Sequence, residues 1–205
     1  MNNKVCILLT IETMTNDLNR PLGYQSPLYG MLIGYGLSIQ FDEGEKSVIK
    51  VVEDQTREKE AIDNLSTLLE KLQQQYSTML ITFQGKIFDL PFLITRGAIL
   101  GSKIKPLLHY DLDKRNTINH FDWYMSLFNY FKRKSLPHNI WSVGEEIAGV
   151  FPYIDRSGLF KMYTDGLFQG IEQHLINKLT ILIELHKKFG GEMFYNQFIG
   201  GNDVK

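Results

Sequence analysis

Cysteine is almost missing from this sequence, with one in 205 residues. That excludes a disulfide framework and any zinc site built on cysteines. The single thiol, Cys6, lies in the apolar run Val5-Cys6-Ile7-Leu8-Leu9, where a buried, reduced and inert side chain is expected. Long hydrophobic runs are missing too, and none approaches the ~18 residues of a membrane span. Glu12 and polar residues follow the first apolar run too soon for a secretory signal, so a cytoplasmic chain with no membrane partner is expected. Internal repeats, low-complexity tracts and dividing linkers are also lacking. With 43% hydrophobic and 22% charged residues, the composition fits one folded domain rather than a disordered chain.

A strong charge of one sign is absent as well. The net charge of -1 argues against a strongly basic nucleic-acid binder. The distribution is uneven, however. Residues 1–83 hold 7 Lys+Arg against 11 Asp+Glu, whereas 86–134 hold 9 against 4 and include the run Lys132-Arg133-Lys134. This stretch is either a phosphate-facing patch or an ordinary solvated face.

The first third reads as strands. Lys4–Thr13 is too continuously apolar for a half-exposed strand, which places it inside a sheet. Tyr29–Phe41 and Lys46–Glu53 flank the turn-rich Asp42-Glu43-Gly44-Glu45, predicting an antiparallel hairpin. Gly30, Gly34 and Gly36 within it predict close packing or a bulge. Ala61, Leu65, Leu68, Leu69, Leu72 and Tyr76 recur at helical spacing over Arg57–Gln75, and Thr78–Phe83 follows as a short buried strand.

Beyond residue 88 the pattern is helical: Asp89–Gly101, His120–Phe131, Asn139–Gly149 and a long helix over Leu167–Phe189. In that last helix Ile171, Leu175, Leu179, Leu182 and Leu185 form a stripe, widened by Ile176 and Ile183. Three strands, a helix, a fourth strand and a helical second half make an α/β domain with a mixed sheet over 1–189. The Gly-rich segment 190–205 is expected to be an irregular tail.

Three segments carry a chemical pattern: Thr10-Ile11-Glu12-Thr13 on the first strand, Thr82-Phe83-Gln84-Gly85-Lys86-Ile87-Phe88-Asp89-Leu90-Pro91-Phe92-Leu93 across a strand end and helix start, and His174 with Lys178 on the long helix. Between the second and third stands His120-Phe121-Asp122-Trp123. Their order and content resemble the DEDD superfamily of 3′–5′ exonucleases, closest to the proofreading-like exonuclease domains of family-B DNA polymerases. Thr82, Phe83, Gly85, Phe88, Asp89, Pro91 and Leu93 stand unchanged from that family's second motif. The resemblance spans about residues 4–189 and implies an RNase H-like fold. It also implies two divalent cations, magnesium or manganese, held by four carboxylates for phosphodiester hydrolysis.

This chain departs from that set. The slot of the first Asp holds Thr10, the Glu is Glu12, the second-motif Asp is Asp89, and the last Asp is replaced by Lys178. His174 occupies the tyrosine slot, Gln173 stands where some relatives place a histidine, and Gln84 replaces the second-motif Asn. Four carboxylates at -4 balance two dications, but these slots sum to -1. A charged lysine offers only donors, so Lys178 is expected to bridge Glu12 and Asp89 in place of metal charge. Asp111, Asp113 and Asp122 are candidate replacement ligands, Asp122 being expected instead to cap a helix. His174, Phe88 and Phe92 read as packed residues. Trp123, Tyr124, Phe128, Tyr130 and Phe131 read as core, with a base-stacking platform as the other reading.

The expectation is therefore an exonuclease-like domain without two-metal catalysis and without a catalytic residue. It is expected to bind single-stranded nucleic acid through Gln84, Lys132, Arg133 and Lys134, or to serve as a subunit in replication, repair or RNA processing. Two alternatives stay open: an active nuclease with magnesium or manganese on Glu12 and Asp89, and a pure protein-interaction module. Nothing in the sequence separates DNA from RNA.

Overall fold

A computed structural model describes residues 4–15, 25–102, 104, 119–131, 139–147, 149 and 153–198. The side chains of 128–131, 146–147 and 191–198 are left out of that description. Five strands, β1 (Lys4–Thr15), β2 (Gly30–Phe41), β3 (Gly44–Val51), β4 (Ser77–Thr82) and β5 (Asn119–Asp122), form one mixed sheet in the order β3-β2-β1-β4-β5. β1 pairs antiparallel with β2 and parallel with β4, and β4 pairs parallel with β5. Among the described residues six α-helices accompany it: α1 (Glu58–Gln75), α2 (Asp89–Ile99), α3 (Trp123–Phe131), α4 (Ile140–Ile147), α5 (Arg156–Thr164) and α6 (Phe168–Phe198). Among the described residues no helix is long and apolar enough to cross a membrane.

The central position of β1 explains its composition. Alternate residues point to opposite faces, and both faces are covered. Val5, Ile7, Leu9 and Ile11 join the core with Ala61, Leu65, Leu69 and Leu72 of α1 and Leu93 of α2. Leu8 joins a second core with Leu179 and Leu182 of α6, and Met14 a third with Leu175. Thr10 and Glu12 share that second face, so the strand's two polar site positions lie beneath the long helix. The register slips between Glu12 and Thr13, opposite Ile33. This bulge shifts the alternation of β2: Leu32 lies in the first core and Ile33 in the third.

The β2 glycines serve close approach, as their spacing predicts. A Cβ at Gly34 would stand 2.6 Å from Leu175 Cδ1 and 2.7 Å from the Lys50 carbonyl, and one at Gly36 would stand 3.3 Å from Thr10 Cγ2. Bare backbone here lets α6 settle on the sheet directly above Glu12. Ile171, Leu175, Leu179, Leu182, Ile183 and Leu185 are buried as expected. Ile176 faces outward instead, since α6 rests on the sheet with one stripe only.

Several expectations need correction. His120–Asp122 is not helical: it adds a fifth strand beside β4, and helix begins only at Trp123. Alternation in a three-residue segment is too short to reveal a strand before its partner is known. The long helix does not stop at Phe189 but continues through Gly190 to Phe198, so an irregular tail does not describe 190–198. Cys6 is only half-buried, and burial raises its thiol pKa.

Candidate functional site

The site forms where the C-terminal halves of β1 and β4 meet α2, α5 and α6. Glu12 is 3% exposed and reaches it from β1, opposite the bulge in β2. Lys178 descends from α6 and donates from Nζ to Glu12 Oε1 at 2.6 Å and to the Ile11 carbonyl at 2.7 Å. Arg156, the first residue of α5, donates from one guanidinium nitrogen to Glu12 Oε2 at 2.8 Å and to the Thr13 carbonyl at 2.8 Å. Each carboxylate oxygen of Glu12 thus meets its own cation. Burial alone would raise the Glu12 pKa, but Lys178 and Arg156 hold it far below the usual carboxylate range.

Asp89 opens α2 and is 5% exposed. Burial pushes its pKa up to about 7, with Glu12 and Asp122 adding repulsion and Lys178 and Arg156 offsetting part of it. Among the described residues its side chain makes no hydrogen bond or ion pair. The expected bridge is therefore only half made: Lys178 binds Glu12 and a backbone carbonyl, while Asp89 feels its charge without contact.

A turn of unusual backbone holds Asp89 in place. Gln84 has φ +64°, the left-handed region. A Cβ at Gly85 would collide with the Thr82 side chain, which explains the glycine. Asp122 secures this turn from β5: its oxygens accept from the backbone N–H of Gln84 at 3.1 Å and Lys86 at 2.8 Å. Oδ1 also accepts from Tyr124 N–H at 3.0 Å and Met125 N–H at 3.3 Å, capping α3. With both oxygens engaged by backbone, Asp122 is a scaffold carboxylate, as its sequence position suggests. His120 beside it shares a 2.7 Å hydrogen bond with the Thr82 hydroxyl, and burial lowers its pKa to about 3, so it is neutral.

Thr10 is 2% exposed and packs against Gly36. His174 is 1% exposed, with its ring 4.7 Å from that of Trp141. Its Nε2 is 3.6 Å from Glu12 Oε1, beyond hydrogen-bond length, and its Nδ1 has no partner among the described residues. Trp123 is fully buried, edge-on to Phe121 at 4.9 Å, which removes it from any stacking platform. Tyr124 stands edge-on to Phe83. Phe128, Tyr130 and Phe131 fall outside the described side chains, and Lys132, Arg133, Lys134, Asp111 and Asp113 outside the described residues.

Glu12, Asp89, Lys178, Arg156 and His174 line one cleft of about 120 Å³, together with Gln84 and the aromatic side chains of Phe83, Phe88, Trp141 and Tyr153. Thr10 is close in sequence but does not line it. Arg156 is the residue sequence reasoning missed. An isolated arginine at a helix start carries no motif, and only the fold brings it 144 positions back to Glu12.

The chain is similar in structure to the family B DNA polymerase from the hyperthermophilic archaeon Pyrobaculum calidifontis. The TM-score is 0.63 at 13% sequence identity, covering 90% of this chain and 24% of the polymerase. The likeness is one of fold, to a part of a much longer protein. No protein-family model and no curated protein matches the sequence.

Proposed function

We propose that this chain is an exonuclease-like domain, RNase H-like in fold and of DEDD descent, that has lost two-metal catalysis and binds single-stranded nucleic acid within a replication, repair or RNA-processing assembly. One observation carries the reading: both oxygens of Glu12 are engaged by protein cations, Lys178 and Arg156. Magnesium or manganese needs oxygen ligands free to coordinate it. Here a dication would have to displace two short charge-assisted hydrogen bonds and then sit beside an ammonium and a guanidinium. Asp89 does not repair the deficit, because at neutral pH a large share of it carries a proton. The residues present do not fit the metal pair.

Support for nucleic-acid binding is the basic excess of 86–134, in a fold shared with a DNA polymerase. That excess is smaller than its count, since Arg96 is internal and bound to Glu58.

Calorimetry with manganese, a nuclease assay on the same sample, and oligonucleotide titrations across salt in chelator test the proposal. The expected result is no cation binding, no cleavage, and an affinity that falls as salt rises. Manganese binding with 3′-end trimming that Asp89→Ala abolishes would overturn the loss of catalysis. Absence of salt-dependent affinity for both DNA and RNA would overturn the binding role.

A further inference from the structure

We propose that the cleft beside Glu12 takes a nucleobase and that Asp89 reads its edge, favouring guanine in a single strand. This inference rests on the nucleic-acid reading above and adds the group recognised. Charge makes the first selection. Beside His174 and Tyr153, the cleft is lined by Glu12 and Asp89 against Lys178 and Arg156, and in ionised form these four cancel. A dication would add positive charge where two cations already hold the one well-placed carboxylate. A phosphate would find both cations already paired to Glu12, with Asp89 repelling it. A lysine or arginine from a protein partner would meet two like charges. A neutral ligand meets none of these penalties.

Shape and hydrogen bonding make the second selection. Phe83 and Phe88 line the cleft from the β4–α2 turn, and Trp141 and Tyr153 line it from the helical half, with the last two rings 5.7 Å apart. Aromatic side chains suit a flat ring, as in sites that hold an unstacked base. Among them stands Asp89, more than nine-tenths buried and without a hydrogen bond among the described residues. A buried carboxylate lacking a donor is costly, so a ligand that supplies donors is strongly favoured over one that does not. An ionised carboxylate only accepts, through two oxygens side by side. Guanine alone among the common bases offers two adjacent N–H groups on its Watson–Crick edge, a two-point match to those oxygens.

The test uses short thymidine tracts carrying one guanine, adenine, cytosine or deoxyinosine, titrated in chelator at about pH 8, where Asp89 is mostly ionised. The expected result is that the guanine strand binds about 5- to 100-fold more tightly than the others, the range of a good two-point base contact. Deoxyinosine lacks the exocyclic amine and should lose most of that preference with the protein unchanged. Asp89→Asn, nearly the same shape, should level the bases. Equal binding of every strand, inosine included, would overturn base reading and leave the nucleic-acid role standing. No binding of any strand, at low salt too, would overturn both.

Discussion

Two buried glutamates in this molecule are held by cations, and the two sites differ in what they leave over. Glu58, fully buried at the start of α1, receives Arg96 through two parallel hydrogen bonds of 2.9 and 2.7 Å, plus the Leu32 N–H at 2.7 Å. Arg96 donates its remaining face to the Pro27 carbonyl at 3.2 Å. One guanidinium fork thus ties α1, α2, the start of β2 and the segment before it. Glu12 is as buried, but it takes two separate cations from two helices, and one of them, Arg156, has 41% of its side chain exposed. Beside it lies a second carboxylate, Asp89, with no bond among the described residues. The first site is closed structure. The second lines a cleft.

The largest effect should come from breaking the closed site. Arg96→Met strands a buried carboxylate, and loss of one partner of such a pair costs about 3–5 kcal/mol. For a domain of this size that is a fall in Tm of roughly 6–20 °C, with the affinity of surviving folded protein for oligonucleotides unchanged. Lys178→Met should cost less, since Arg156 still holds Glu12. Equal losses in thermal melts of the two variants would erase the distinction drawn here.

The next effect is a gain. Thr10→Asp with Lys178→Asp restores the carboxylates that the resemblance calls for. Arg156 still donates to Glu12, however, so the double variant should bind manganese weakly and the triple variant with Arg156→Ala at least about tenfold more tightly, one added ligand's freedom being worth more than ~1.4 kcal/mol. Calorimetry decides it. Failure of the triple variant to bind manganese would mean that these positions do not converge as the ligand set that the resemblance implies.

Titration separates the sites further. Asp89 has a folded-state pKa near 7 against an ordinary value of 3.8. The folded state therefore holds the proton more strongly. The stability this provides is complete below the ordinary value and is lost as pH rises to about 7. Glu12 works oppositely, stabilising above its ordinary value of 4.5 and losing that as pH falls through acid. Asp89→Asn removes only the first arm. Wild type minus Asp89→Asn, from denaturant melts, should decline by roughly 1–4 kcal/mol between about pH 4 and pH 7 and then level. A flat difference would show that Asp89 is solvated in solution.

The sequence is legible where periodicity is long. The β1 run, the β2–β3 hairpin, α1 and α6 follow from apolar run, turn signal and helical stripe, and the seven matching residues of the second motif locate the turn before α2. What escaped is short or non-local. β5 is four residues, visible only once β4 offers an edge. Glu58, Arg96 and Arg156 look like surface charges in a sequence, because nothing local states that a charge is buried. At the site, Glu12, Asp89 and Lys178 converge as the motif order predicts. The direction of the Lys178 bond and the second cation depend on helix placement that no spacing encodes.

The smallest effect belongs to Gln84, and it sharpens the contrast between a closed core and a poised cleft. Its φ of +64° is a conformation that glycine adopts without penalty, while its N–H is held by Asp122. Gln84→Gly keeps that backbone bond, relieves the left-handed strain and frees the unfolded chain, so a net change within about 1 kcal/mol, toward stability, is expected. The strain sits at the cleft wall, whereas the Glu58 site has none. If the Gln84 side chain contacts nucleic acid, the glycine variant should melt higher and bind oligonucleotides more weakly. If it serves only the turn, melting rises alone. A lower melting temperature would mean that the side chain itself holds the turn, and the cleft would then be braced by more than Asp122.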